Sequence, residues 1–261
     1  MGQGTFGRIR FENDFTAPPL TAADLVPLAA ANNLGGGISL IGVNEGSITL
    51  TVDEPGGIID ITTDTGDNDN HALVAGVFDP ADGGMWMETR IKIPDSVATT
   101  RAAVFVGFSE TLALDTPVMP AETATTTTTY NGTGGMVGFV FDSDATTIDW
   151  RFVAGDAAAA LATKDKNGTV GTALGIRANA DITADRWWVF RVEIGTDGLA
   201  RGYFADTGAE DKLELVGEST AALGTGDGFH AVVLIENRSG ANERLEVDYM
   251  FGEGYRDWAS D

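Results

Sequence analysis

The stretch Met85-Trp86-Met87-Glu88-Thr89-Arg90-Ile91-Lys92-Ile93-Pro94 alternates apolar and polar side chains over the length of a strand and stops at a proline. Alternation with a period of two marks a strand with one face on a core, and proline cannot continue the hydrogen-bonded ladder. Two further stretches, Gly134-Gly135-Met136-Val137-Gly138-Phe139-Val140-Phe141 and Leu245-Glu246-Val247-Asp248-Tyr249, alternate or run apolar between Gly, Pro or Asp residues. Together the three predict strands of a large antiparallel sheet.

The wording and order of these stretches resemble the concanavalin A-like jelly rolls, a superfamily that includes lectins, laminin G-like modules and the family 16 glucanases. The resemblance implies an all-β fold, a two-sheet antiparallel jelly-roll sandwich. It also supplies a test for catalysis, because the glucanases place Glu-x-Asp-x-x-Glu on a strand after an Arg-x-Lys-x-Pro strand. Here Arg90-Ile91-Lys92-Ile93-Pro94 is followed at that place by Met136-Val137-Gly138-Phe139-Val140-Phe141, which holds no carboxylate. Retaining hydrolysis needs two carboxyls about 5 to 5.5 Å apart. The chain is therefore expected not to be an enzyme, with Glu88 and Asp149 the candidates for a relocated pair.

Composition narrows the rest. At 261 residues, 43% of them apolar, the chain is long enough for one large β domain. Its 34 glycines and 8 prolines favour short strands and tight turns over a helical bundle. The 39 acidic against 16 basic residues give a formal charge of -23, which repels nucleic acid and anionic membrane surfaces. With no cysteine, disulfides, thiolate nucleophiles and zinc-thiolate sites are excluded. Residues 1–8 lack the apolar core of a signal peptide, and no later run reaches the ~20 apolar residues of a membrane span, so a soluble product made in a cytoplasm is expected.

The chain divides into an N-terminal strand and extended arm (1–34), a sandwich (35–252) and an acidic tail (253–261). From Phe11 to Pro27 one strand is expected to lead into an arm stiffened by Pro18-Pro19, and removal of the residues before Leu25 is expected to leave the sandwich folded. Strands are predicted at Ile38–Ile41, Ser47–Val52, Ala72–Phe78, Met85–Ile93 and Ala102–Phe108, the last two as a pair joined through Pro94-Asp95. Thr111–Thr133 reads as a long polar loop, and Ala157–Ala162 as another loop. Further strands are expected at Met136–Phe141, Thr147–Val153, Gly171–Ile176, Phe229–Glu236 and Leu245–Phe251. The plainest hairpin is Trp187–Ile194 and Leu199–Phe204 about the turn Thr196-Asp197-Gly198, with Trp188, Phe190, Val192 and Ile194 opposite in phase to Arg191 and Glu193.

Two groups are candidates for binding a ligand. Asp64, Asp67 and Asp69, with Asn68 and Asn70, form the densest oxygen cluster, and calcium is the cation such a set would take. No other cofactor is indicated. Trp86, Trp150, Trp187, Trp188 and Trp258 offer rings that stack on sugars, although Trp150 and one of Trp187 and Trp188 fall in core phases. His71 and His230 read as surface or edge histidines.

The acidic Gly/Thr/Ala-rich strands, the absence of cysteine, the Met85–Pro94 strand and the Trp187–Phe204 hairpin also resemble the jelly-roll decoration and head-appendage proteins of tailed bacteriophages. That resemblance implies a virion protein, a capsid decoration or cement protein working as a homotrimer on the major capsid protein. Phe15, Pro18, Pro19, Leu20, Pro117, Pro120 and Trp258 are its candidate partner-binding residues. A glycan-binding, lectin-like module is the alternative, and a cell-surface glycan its partner.

Overall fold

The computed structural model describes residues 8–14, 32–35, 38–42, 47–51, 58–63, 70–94, 101–111, 119–131, 134–157, 159–171, 175–179, 185–206, 212–224, 228–238, 240 and 242–255. Among these residues there is no helix. The strands are β1 (Arg8–Asn13), β2 (Asn32–Gly35), β3 (Ile38–Gly42), β4 (Ser47–Thr51), β5 (Ile58–Thr62), β6 (Asn70–Phe78) and β7 (Met85–Lys92). There follow β8 (Ala102–Ser109), β9 (Ala121–Ala124), β10 (Thr127–Tyr130), β11 (Met136–Asp142), β12 (Trp150–Asp156), β13 (Ala159–Leu161) and β14 (Thr163–Asp165). The chain ends with β15 (Ile176–Asn179), β16 (Trp187–Ile194), β17 (Ala200–Asp206), β18 (Glu214–Ser219), β19 (Phe229–Asn237) and β20 (Arg244–Tyr255).

They form two large antiparallel sheets. The first runs β14-β18-β17-β16-β7-β20-β5-β4, with β1 also on β20; the second runs β13-β12-β11-β8-β19-β6-β3-β2, with β15 also on β12. Successive strands from β5 to β8 alternate between the sheets, so the apolar faces close on one another, as a sandwich requires. The core between them holds Phe139, Phe152, Phe190, Trp150 and Trp188, with ring centroids of Trp150 and Phe190 4.6 Å apart and of Phe139 and Phe190 5.1 Å apart.

Burial in β7 and β16 alternates residue by residue, as their sequences predict. In β8 and β11 every residue is buried, because both faces of the second sheet are covered there. The cover is the hairpin β9–β10. Met119, Ala121 and Tyr130 pack with Phe105, Met136, Val140 and Leu234 in a small second core on the outer face of that sheet.

Several expectations are corrected. Met85–Ile93 and Ala102–Phe108 are not a hairpin: β7 lies between β16 and β20, and β8 between β11 and β19 in the other sheet. Pro94 ends β7, and the chain crosses over instead of turning back. Thr111–Thr133 is not simply a loop, since its threonines build β9–β10, with Thr125 at φ 53° in the connection and Thr123 and Thr128 bonded through their hydroxyls at 3.0 Å. Ala159–Leu161 is an edge strand on β12; of the strand expected over Gly171–Ile176, residues 172–174 lie outside the described residues, and Ile176 opens β15. Residues before Leu25 include a strand of the first sheet: β1 pairs along β20 from Arg8↔Tyr255 to Asn13↔Met250, and Phe11, 1% exposed, packs in a tilted contact on Phe78 with ring centroids 5.6 Å apart. The sheets thus take in residues 8–13 and 253–255, on either side of the expected sandwich limits.

Candidate functional site

The period-two phases of β7 and β16 send Trp86, Glu88, Arg90 and Lys92, and Trp187, Arg191 and Glu193, to the outer face of the first sheet. Register brings neighbours to them: Arg191 faces Tyr203 on one side and Glu88 on the other, while Phe251 faces Glu88 and Tyr249 faces Arg90. The Arg191 guanidinium lies 4.6 Å from the Trp86 ring centre; the Arg90 guanidinium and the Lys92 ammonium lie 4.7 and 5.0 Å from that of Trp187. Trp86 meets Phe251 edge-on at 5.9 Å, and Phe251 stacks on Tyr249 at 4.7 Å. Each cation-ring contact of this kind contributes ~0.5–2 kcal/mol, more than an exposed ion pair of ~0–1 kcal/mol. The rings are therefore held in fixed attitudes.

The polar groups between the rings are engaged with one another. Arg90 pairs with Asp248 at 2.8 Å, Lys92 with Glu246 at 2.6 Å and Arg191 with Glu193 at 2.7 Å. The Tyr249 hydroxyl donates to Glu88 at 3.0 Å, and that of Tyr203 to Glu193 at 3.3 Å. Burial first, and then the neighbouring carboxylate, raises both phenols above their ordinary value, so both stay protonated donors. The result is a half-buried aromatic face edged with guanidinium, carboxylate and phenol groups. Such a surface stacks on the apolar side of a flat ring and hydrogen-bonds to hydroxyls at its rim.

Carboxylates elsewhere are arranged differently. The glucanase position is filled by β11, buried and apolar from Met136 to Phe141. Glu88 is on the first sheet's outer face, whereas Asp149 is buried beside the second sheet with Arg151 at 2.6 Å and Arg177 at 2.9 Å, so the two are not a pair. Two carboxylates that sequence reasoning missed do lie close together. Asp142 and Glu236 both bond Arg238, Asp142 at 2.9 Å, under the hairpin β9–β10. Asp142 also accepts from the Thr123 amide at 2.8 Å, and Glu122 reaches Arg238 at 3.9 Å. Burial pushes Glu236 up to about 7 and raises Asp142, with Arg238 opposing both; burial works against the Arg238 charge, but Asp142 and Glu236 outweigh it. Shut away from solvent, this cluster ties the hairpin to the sheet.

Of the residues singled out in the sequence, Trp150 and Trp188 are core and Trp86 and Trp187 stand on the outer face. Asp64, Asp67 and Asp69 lie outside the described residues, among which no group of three or more His, Asp or Glu could hold a metal ion. Phe15, Pro18, Pro19, Leu20, Pro117 and Trp258 also lie outside them, and Pro120 is buried, its carbonyl accepting from the Asn131 amide at 3.0 Å. His71 is buried and not a surface or edge residue as expected, while His230 is half-buried near the start of β19, its pKa lowered by burial.

No protein-family model and no curated protein matches the chain. Solved structures do. A protein of unknown function from Shewanella oneidensis MR-1 aligns with a TM-score of 0.55 at 13% identity, over 95% of this chain and 87% of its own. Peanut lectin, in complex with a nine-residue peptide, aligns at 0.55 and 10% identity over 96% and 99%. The fold is a concanavalin A-like jelly roll. Lectin II from Ulex europaeus aligns at 0.51 and 8% identity, over 94% and 98%. Identities this low speak for the fold alone, and the fold hosts many functions.

Proposed function

We propose that the chain is a carbohydrate-recognition module without a catalytic centre, and that it holds a saccharide chain against the outer face of its first sheet. One observation carries this reading: Trp86, Trp187, Tyr203, Tyr249 and Phe251 share that face with interleaved Arg90, Arg191, Glu88 and Glu193. Sugars present an apolar ring face and a rim of hydroxyls, which is the complement of fixed aromatic rings edged by charged groups. The fold neighbours agree in kind, since two are lectins and Ulex europaeus lectin II has been solved with galactose. Against catalysis stand the apolar β11, the separation of Glu88 from Asp149 and the closure of Asp142 and Glu236 beneath a hairpin. Attachment as a homotrimer to a phage capsid has no observation in its favour among the described residues.

The test is binding of immobilised neutral and acidic oligosaccharides by the full chain and by Trp187→Ala and Trp86→Ala variants. Truncating a central aromatic contact commonly costs more than ~1–2 kcal/mol, so each variant should bind roughly tenfold or more weakly at a temperature where its own melting curve shows it folded. Unchanged affinity in both variants overturns the assignment of the face.

A further inference from the structure

At the side of the sandwich, where β15 of the second sheet approaches β17 and β18 of the first, lies an open cleft of about 710 Å³. That is the size of ordinary small-ligand sites, ~300–1,000 Å³. The cleft continues the aromatic face. Leu215, on its wall, is the cross-strand partner of Tyr203, and Ala205, also on its wall, is the partner of Val189, which in turn faces Arg90. A saccharide chain lying on that face and running off past β17 would enter it.

The lining differs from the rest of the molecule. In a chain of charge -23, this one cleft gathers Arg151, Arg177, Lys166 and Lys212. Arg151 and Arg177 are directly opposed across β12 and β15. Like charges so placed repel, and the side chain of Asp149, fully buried beneath them, accepts from both, at 2.6 and 2.9 Å. One anion thus stands between the two guanidiniums, and both arginines line the cleft. The carboxylates of the rim already have partners: Asp165 accepts from the Asn167 and Thr169 amides, both at 2.8 Å, Glu214 pairs with Lys166 at 2.9 Å and Asp206 with Arg186 at 2.7 Å. Lys212 has no ion-pair partner among the described residues. Beside these cations Val170, 61% exposed, offers an apolar surface.

We infer that this cleft takes an acidic sugar, its carboxylate or sulfate against Arg177 and Lys212 and its ring against Val170 and Leu215. Guanidinium groups match the oxygens of both anions two by two, so the arginines fix orientation while the lysine adds charge. The saccharide part of this assignment rests on the proposed function; the preference for an anion does not.

The experiment compares acidic probes with neutral counterparts on the full chain by calorimetry: oligogalacturonate against its methyl ester, and a carrageenan oligosaccharide against its desulfated form. At least one acidic probe should bind roughly tenfold more tightly than its counterpart. The arm that shows the preference identifies the anion. Lys212→Glu, on an exposed side chain, should abolish the preference without changing the affinity for the neutral form, and Arg177→Gln should do the same with its melting temperature followed in parallel. Trp187→Ala should weaken acidic and neutral probes alike. Equal binding of acidic and neutral forms in both arms, or a preference that survives Lys212→Glu, overturns the cleft assignment even where the Trp187 effect upholds the aromatic face. A preference lost with Lys212→Glu but indifferent to Trp187→Ala upholds the cleft and removes the face from the site.

Discussion

Replacing Glu236 by Gln probes the cluster that ties β9–β10 to the second sheet. Glu236 is 2% exposed, and burial lifts its carboxyl from 4.5 to about 7; Arg238 opposes the rise, and Glu122 and Asp142 add to it. A carboxyl raised on folding binds its proton more tightly in the folded chain. Its stabilisation is therefore fully present below 4.5 and is lost as the pH rises through about 7. Each tenfold change in proton affinity is worth ~1.36 kcal/mol, so the gap corresponds to about 3 kcal/mol. For a chain of this size, with ~2–4 °C per kcal/mol, the melting temperature should fall by about 6–12 °C on that account between about pH 5 and pH 8. The Glu236→Gln variant, neutral throughout, should keep its stability over that interval and exceed the parent at the alkaline end. The lowered values of Asp165, Glu214 and Glu218 act with the opposite sign, because their stabilisation is lost as the pH falls below the ordinary carboxylate range. They cancel when the two melting curves are subtracted. Calorimetric melts of parent and variant that run parallel from pH 5 to 8 would refute the assignment of the proton to this cluster.

Phe11→Ala should cost about 3–5 kcal/mol in denaturant unfolding, because the ring is fully packed on Phe78 and beside Gly252; a chain lacking residues 1–14 should be destabilised at least as much, and a stable truncation would remove β1 from the core. Arg238→Ala leaves Asp142 and Glu236 buried without their cation and should cost about 3–5 kcal/mol at pH 8, less at pH 5 where Glu236 is protonated, as read from urea midpoints at the two pH values. Gly107→Ala would set a Cβ 2.1 Å from the Val137 carbonyl oxygen on the adjacent strand, so β8 and β11 must part; a loss of about 1–3 kcal/mol with faster amide exchange in both strands is expected.

The fold was legible where one strand face is wet. β7 and β16 alternate in sequence because only one side meets the core, and their boundaries and phases follow from that. β8 and β11 were legible as strands but not in their pairing. An all-apolar strand carries no phase, and the short path through Pro94 suggests a hairpin that the crossover between sheets replaces. The hairpin β9–β10 was hidden altogether. Its threonines look like loop residues until the outer face of the second sheet supplies Phe105, Val140 and Leu234 for its apolar side chains to cover. Arg238 and its carboxylates were hidden for the same reason, being distant in sequence and joined only by register across β19, β8 and β11.

The aromatic face shows how a single residue can put a site beyond the reach of pattern reading. Trp86 and Trp187 follow from alternation, but in β20 the same rule fails. Val247 points inward, so strict alternation would bury Tyr249 and Phe251 with it. The register instead slips between Val247, which faces Ile91, and Tyr249, which faces Arg90, leaving Asp248 as the extra residue of a bulge. Beyond that point the phase is reversed: Met250 is buried, and Tyr249 and Phe251 turn outward to stack on each other and meet Trp86. Asp248 itself is bound at 2.8 Å by Arg90, whose guanidinium lies over Trp187. The residue that breaks the pattern in β20 therefore both turns two rings to the surface and anchors the cation that holds a third.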